Sequence, residues 1–254
     1  MKNSRQKIKV IFLGTNGWYD TKTGNTICVL IDAPEAYIVL DAGTGLYKLD
    51  QYIKDRKKPI YLFLSHFHLD HLIGLHTMAK FRFKQGLTIV GQKGTKRILS
   101  QLVRQPFTLA LKDLKTKVKV RELGSRRLCP FLEAALKLDH VSSCYGFRLN
   151  FGGKIIAYIA DTGECKNAYK LAAGADLVIS ECAFKNGNRL SQWPHLDPKS
   201  AARIAAVSGA KKLALAHFDA AIYTTLSERI TAGKKARSIF RNSVTAKDGL
   251  TIDV

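Results

Sequence analysis

The stretch Leu64-Ser65-His66-Phe67-His68-Leu69-Asp70-His71-Leu72-Ile73-Gly74 packs three histidines and one aspartate into six residues, directly after the apolar run Ile60–Leu64. Imidazole nitrogen and carboxylate oxygen form the ligand set favoured by zinc and similar divalent ions. The apolar run reads as a buried strand. On extended backbone His66 and His68, two residues apart, point to the same side. Leu72-Ile73-Gly74-Leu75 reads as the start of a helix, which lets Asp70 and His71 aim at a second, neighbouring position. Four polar groups between two apolar segments are costly to bury unless they hold something.

Further ligands are therefore expected. The chain has seven histidines, and the other four are His76, His140, His195 and His217. His140 follows the apolar-alternating segment Glu133–Asp139 and precedes the strand-like Cys144–Leu149. Asp161 ends the apolar run Ile155–Ala160 and is followed by Thr162-Gly163. His217 ends Leu213-Ala214-Leu215-Ala216. Ligand-type residues at three strand ends are how a sheet sandwich gathers distant side chains around one site. His76 sits in a helical segment, fits no ligand position and is read as ordinary structure.

The pattern His66-x-His68-x-Asp70-His71, then His140, Asp161 and His217, resembles the metallo-β-lactamase superfamily, and within it the ribonuclease Z-like phosphodiesterases. The resemblance runs from Phe12-Leu13-Gly14-Thr15 nearly to the end of the chain. It implies an α/β fold, the αβ/βα four-layer sandwich of two facing mixed sheets with helices outside. It also implies two divalent metal ions, zinc in the first place with manganese as an alternative. One ion would rest on His66, His68 and His140, the other on Asp70, His71 and His217, with Asp161 bridging. Two metals about 3.5–4 Å apart can activate water and stabilise both reacting oxygens of a phosphodiester. Asp70 would also orient or deprotonate the attacking water. Glu181, in Val178-Ile179-Ser180-Glu181-Cys182, and His195, in Trp193-Pro194-His195-Leu196-Asp197, match a family pair in which the carboxylate orients an imidazole that protonates the leaving oxygen. A departing ribose oxygen needs such a proton, and histidine titrates near neutrality. Relatives of this kind also pair as homodimers.

Two departures bear on the substrate. The tRNA-processing relatives carry a long arm between the positions matching His140 and Asp161. Here two strands and a hairpin around Asn150-Phe151-Gly152-Gly153 fill that interval. Leu40-Asp41-Ala42-Gly43-Thr44-Gly45 also differs from the Gly-Glu-Gly-Thr pattern of those enzymes. Composition points the other way: 41 Lys+Arg against 20 Asp+Glu give a formal charge of +21, a field that concentrates phosphate esters. Basic residues gather at Lys2–Lys9, Lys54–Lys58, Lys112–Arg127 and Lys234–Arg237, with no aromatic-rich RNA-binding motif beside them. The leading expectation is an RNA endonuclease of the tRNA 3′-processing type. A small-molecule, cyclic nucleotide phosphodiesterase is the alternative. Thioester or lactone hydrolysis would leave the +21 charge and the Glu181/His195 pair without a reason, and a nucleic-acid-binding protein with structural metals is a further reading.

With 254 residues, 46% of them hydrophobic, the chain can bury one large core, and a single domain over 1–254 is expected. No apolar run is long enough to cross a bilayer and the first ten residues do not resemble a secretion signal. Five scattered cysteines, Cys28, Cys129, Cys144, Cys165 and Cys182, read as reduced thiols of a cytoplasmic protein. Strands are expected at Ile8–Leu13, Thr26–Ile31, Ala36–Leu40, Leu87–Val90, Val118–Glu122, Phe131–Leu138, Tyr145–Leu149, Lys154–Ile159, Leu177–Ser180 and Leu213–Ala216. Helices are expected at Gly45–Lys54, Thr95–Val103, Asn167–Ala173, Pro198–Ser208 and Thr225–Lys235, with Asp197-Pro198 as a capped start. The early strands are expected to pair mostly antiparallel, and the later ones to alternate with helices. Asp41 and Thr162 are expected to support ligands by hydrogen bonds. Trp18 or Tyr19, after Gly14-Thr15-Asn16-Gly17, can stack a base beside a basic pocket.

Overall fold

In a computed structural model, which describes residues 7–125, 128–185 and 192–254, the strand Lys9–Gly14 sends Val10 and Phe12 into one apolar cluster and Ile11 and Leu13 into another. Cys28–Asp32 divides the same way, Val29 and Ile31 against Cys28 and Leu30, and so does Tyr37–Leu40. This is the two-residue period of a sheet covered on both faces. The sheet has seven strands, in the spatial order Thr251–Asp253, Lys9–Gly14, Cys28–Asp32, Tyr37–Leu40, Ile60–Phe63, Leu87–Gly91, Val118–Glu122. A second sheet of six runs Ser243–Thr245, Leu213–Ala216, Leu177–Glu181, Lys154–Ile159, Tyr145–Phe151, Leu132–Lys137. Phe63 of the first sheet meets Phe147 of the second with ring centroids 5.0 Å apart. Each such large side chain, fully buried, contributes roughly 1.5–3 kcal/mol.

Helix α1 (Thr95–Leu102) packs by Val118–Glu122, and α2 (Lys166–Ala172), α3 (Pro198–Val207) and α4 (Leu226–Arg237) cover the second sheet. The Asp197 side chain accepts from the backbone N–H groups of Lys199 and Ser200 ahead of Pro198, the expected capped start. The result is the expected αβ/βα sandwich of two mixed sheets.

Local differences have physical reasons. Thr44–Gln51 and Ile73–Lys80 are 3-10 segments rather than α-helices. They lie against each other, and a Cβ on Gly74 would sit 2.0 Å from the Gly43 carbonyl oxygen, so backbone packing sets the geometry. From Tyr37–Leu40 to Val118–Glu122 the first sheet is parallel, not antiparallel, because its connections cross over through helical segments. The short strands Asn16–Gly17, Phe218–Asp219, Ser243–Thr245 and Thr251–Asp253 were outside the sequence expectation. Two or three residues carry no period to read.

Parallel strands place their carboxyl ends at one edge, where such sheets gather functional groups. The pairings Leu40↔Phe63, Ile159↔Ser180 and Glu181↔Ala216 put Asp41, Asp161, Glu181 and His217 at that edge.

Candidate metal centre

Asp161 is the hinge of the site. Its Oδ2 faces His66 Nε2 at 3.7 Å and His140 Nε2 at 4.0 Å, while its Oδ1 faces His71 Nε2 and His217 Nε2, both at 3.4 Å. His68 Nδ1 lies 3.4 Å from His140 Nε2. Asp70 Oδ2 lies 3.2 Å from His217 Nε2 and 3.5 Å from His71 Nε2. Two sets of ligand atoms emerge, His66, His68, His140 and Asp161, and Asp70, His71 and His217. His195 lies within the same reach of Asp161 and His217. The structure thus brings together all nine residues singled out in the sequence: the seven candidate ligands, His195 and Glu181. His76, exposed on its 3-10 segment, stays apart.

The electrostatics fit a cation between these groups. His71 Nε2 and His217 Nε2 are 3.0 Å apart, and His66 Nε2 and Asp161 Oδ1 are buried without a hydrogen-bond partner. A cation placed there would meet imidazole nitrogen and carboxylate oxygen that hydrogen bonds leave unused. Burial, with His71 nearby, pushes His66 well below its ordinary pKa, and burial lowers His68 and His140 too, which favours the neutral, ligating imidazole. Burial would raise the Asp161 carboxyl, yet His217, His71 and His66 hold it well below the usual range. His71 and His217 resist burial through Asp161 and Asp70 and keep raised pKa values.

The supports are built into the fold. His71 Nδ1 donates to Asp41 Oδ2 at 2.8 Å, which leaves Nε2 for the cluster. Asp41 also accepts from Ser65 N (2.7 Å), Ser65 Oγ (2.8 Å) and Tyr158 OH (2.6 Å). Sequence reading does not find Ser65 and Tyr158, since nothing local marks a hydroxyl that reaches a carboxylate on a neighbouring strand or, for Tyr158, on the other sheet. Thr162 Oγ1 accepts from Asp139 N (3.1 Å), steadying the residue before His140, and Thr162 N donates to Glu181 Oε1 (2.9 Å). Glu181 further accepts from Ala183 N, from Leu196 N and, at 2.8 Å, from His195 Nδ1. Burial opposes charge on His195, but Glu181 lifts its pKa to about 9. Among the described residues, the three non-glycine residues with left-handed backbone, Trp18 (φ 72°), Asp41 (φ 58°) and His217 (φ 49°), all lie at this site. Each strained residue costs about 1–3 kcal/mol, a recurrent mark of functional positions.

A cleft of about 910 Å³ opens over the cluster. Trp18, Phe67, Phe184 and Trp193 line it with His68, Asp70, Asp161, His195 and His217. Among the described residues no lysine or arginine lines it, and its described lining is largely aromatic; Arg189, between Phe184 and Trp193 in the chain, lies outside the described residues. The basic positions before Lys7 and at 126–127 lie outside the described residues.

Residues 36–218 match the family model described as the beta-lactamase superfamily domain. The chain belongs to that superfamily. Within it this beta-lactamase superfamily member is a ribonuclease Z-like metallo-hydrolase. It is 22% identical to a ribonuclease Z of Methanosarcina mazei over 308 positions, covering 97% of this chain and 98% of that one. Its fold is similar to the metallo-beta-lactamase fold protein YhfI of Bacillus subtilis, with a TM-score of 0.81, 23% identity and coverage of 98% and 99%. The short form of human tRNase Z gives a TM-score of 0.73, 22% identity and coverage of 96% and 98%.

Proposed function

We propose that this chain hydrolyses phosphodiesters with two divalent ions, and that RNA is its substrate, cut as in tRNA 3′ processing. The observation that carries the reading is the Glu181–His195 pair, joined at 2.8 Å, with His195 within ligand reach of Asp161 and His217. His66, His68 and His140 would hold one ion and Asp70, His71 and His217 the other, with Asp161 offering one oxygen to each. Zinc suits this nitrogen-rich set, and manganese its oxygen donors. When bound, such ions lower the pKa of water and neutralise charge on phosphoryl oxygens.

The chain's own residues supply the rest. Asp70, fixed by the Trp18 N–H at 2.8 Å, accepts the proton of the attacking water. His195 keeps Nδ1 on Glu181 and presents Nε2 to the leaving oxygen, to which it gives a proton. Thioester hydrolysis would have no need of that proton. The +21 charge draws polyanions toward a cleft that holds no lysine or arginine among its described residues.

One observation favours small nucleotide phosphodiesters instead. Between His140 and Asp161 the chain holds only Tyr145–Phe151, a two-glycine turn and Lys154–Ile159. The Methanosarcina mazei alignment needs 308 positions to cover 97% of these 254 residues, so that relative carries segments absent here. Cleavage of a pre-tRNA bearing a 3′ trailer, compared with cyclic nucleotides across a salt series, decides between them. RNA cleavage that falls steeply with salt supports the nuclease, and turnover of cyclic nucleotides alone supports the second reading. Failure to hydrolyse bis(p-nitrophenyl) phosphate with full metal loading would remove both. The same reading places the enzyme in the cytoplasm, consistent with five unpaired thiols, and as a homodimer.

A further inference from the structure

The chain contains two tryptophans, and both stand at the mouth of this cleft. Trp18 is 66% exposed and Trp193 46% exposed. Large indoles are normally mostly buried, and two left open at one site ask for a reason. They flank the cluster from opposite ends. Trp193 stacks on His68 at 5.5 Å with 10° between the ring planes and meets His140 edge-on at 5.9 Å. Trp18 is tied to the other end through its backbone N–H, which donates to Asp70 Oδ2. Its left-handed backbone, φ 72°, is one that bulky residues avoid. The adjoining Gly17 leaves no room for a side chain, because a Cβ there would lie 2.6 Å from the His217 ring. Packing thus holds an indole in a strained pose, facing solvent beside the reacting centre.

The Trp18 backbone N–H serves Asp70, but the indole itself has little to hold: apart from Tyr19, edge-on at 5.2 Å, no aromatic ring contacts it among the described residues. The cleft also lacks lysine and arginine among its described lining residues. The described lining offers ring faces to the groups around the phosphodiester. Nucleobases offer the matching chemistry, since every base has a π-face and stacking tolerates any sequence.

We propose that Trp193 and Trp18 are stacking platforms for the two nucleobases on either side of the scissile phosphodiester, one at each end of the metal cluster. The substrate class is unpaired nucleotides, because a base in a duplex has no free face. The inference rests on the phosphodiesterase reading and narrows it.

Because the chain has only these two tryptophans, its indole fluorescence reports on this cleft alone. Titration of zinc-loaded protein with adenosine 5′-monophosphate is expected to quench that emission saturably, while ribose 5-phosphate leaves it unchanged. Trp18→Phe and Trp193→Phe each leave one reporter, and each remaining indole is expected to respond. Equal responses to both compounds, or none to the nucleotide, would overturn the proposal. A cleavage cycle supplies the second readout. Removing the base on one side of the scissile linkage in a single-stranded oligoribonucleotide, or replacing the facing tryptophan by alanine, should each raise KM about tenfold. Combined, they should do no more than either alone, and full multiplication of the two effects counts against the idea. Quenching without any phosphodiester turnover would sink the enzyme reading and spare the stacking. Turnover without quenching, and indifferent to the missing base, would do the reverse.

Discussion

His195 and Asp41 show how a single carboxylate can decide what a histidine does. Glu181 raises His195 to a pKa of about 9, so the imidazole is protonated at neutral pH in the metal-free protein. Its folded pKa lies above the unfolded value, so the pair's stabilisation is complete below about pH 6.5 and is lost as pH rises through about 9. In chelator-treated protein, NMR titration of His195 should show that raised value, and Glu181→Gln should bring it down toward the ordinary one. A titration unchanged by the substitution would remove Glu181 as the cause. For the loaded enzyme, His195→Ala should lower kcat on RNA by about 10²–10⁴. With p-nitrophenolate, which leaves without a proton, the loss should be much smaller. Equal losses on both substrates would exclude proton donation. Asp41 acts at one remove. It directs His71 Nε2 at the cluster while accepting from Ser65 and Tyr158. Asp41→Ala should weaken metal binding by about 10–100-fold, read by competition with a chromophoric chelator, and lower stability through the stranded partners.

Elements matter through their close approaches. The metal loop is carried between Ile60–Phe63 and Ile73–Lys80, and the latter rests on the turn after Asp41 through Gly74 N donating to Ala42 O at 2.8 Å. A Cβ at Gly74 would meet backbone on Gly43 that has no flexible end to yield. Gly74→Ala should therefore destabilise the protein by at least about 1–3 kcal/mol in urea denaturation and displace the loop. A variant as stable as the parent would show that the two segments can separate freely. At the opposite side, α4 sends the buried Arg229 to Thr15, Asn16 and Thr23. That contact steadies Asn16–Gly17 against Phe218–Asp219, next to His217.

Across the whole molecule, two sheets contribute to one charge-dense pocket, so occupancy of the pocket should couple to their association. Stripping metal should lower the thermal midpoint, by the linkage that favours whichever state binds ligand, and zinc should restore it. A midpoint indifferent to chelation would contradict a metal held by residues of both sheets. Among the described residues no helix is long and apolar enough to cross a membrane. Light scattering should give twice the 28.2 kDa chain mass if the homodimer forms, and the single mass if it does not.

The histidine motif and the strand-end positions of His140, Asp161 and His217 were legible because covalent neighbours dictate them: extended backbone orients His66 with His68, and apolar runs announce where strands stop. Alternation likewise gave away most strands and the longer helices, whose patterns repeat within a few residues. Sequence could not show that Thr44–Gln51 and Ile73–Lys80 are 3-10 segments, that the strands from Tyr37–Leu40 to Val118–Glu122 run parallel, or that Thr251–Asp253 closes an edge. Those outcomes depend on what lies alongside. Nor could it find Ser65 and Tyr158 under Asp41, or Trp193 on His68. Hydrogen bonds and ring contacts between residues far apart in the chain exist only once the strands have paired and the two sheets have met, and there the tertiary structure alone decides.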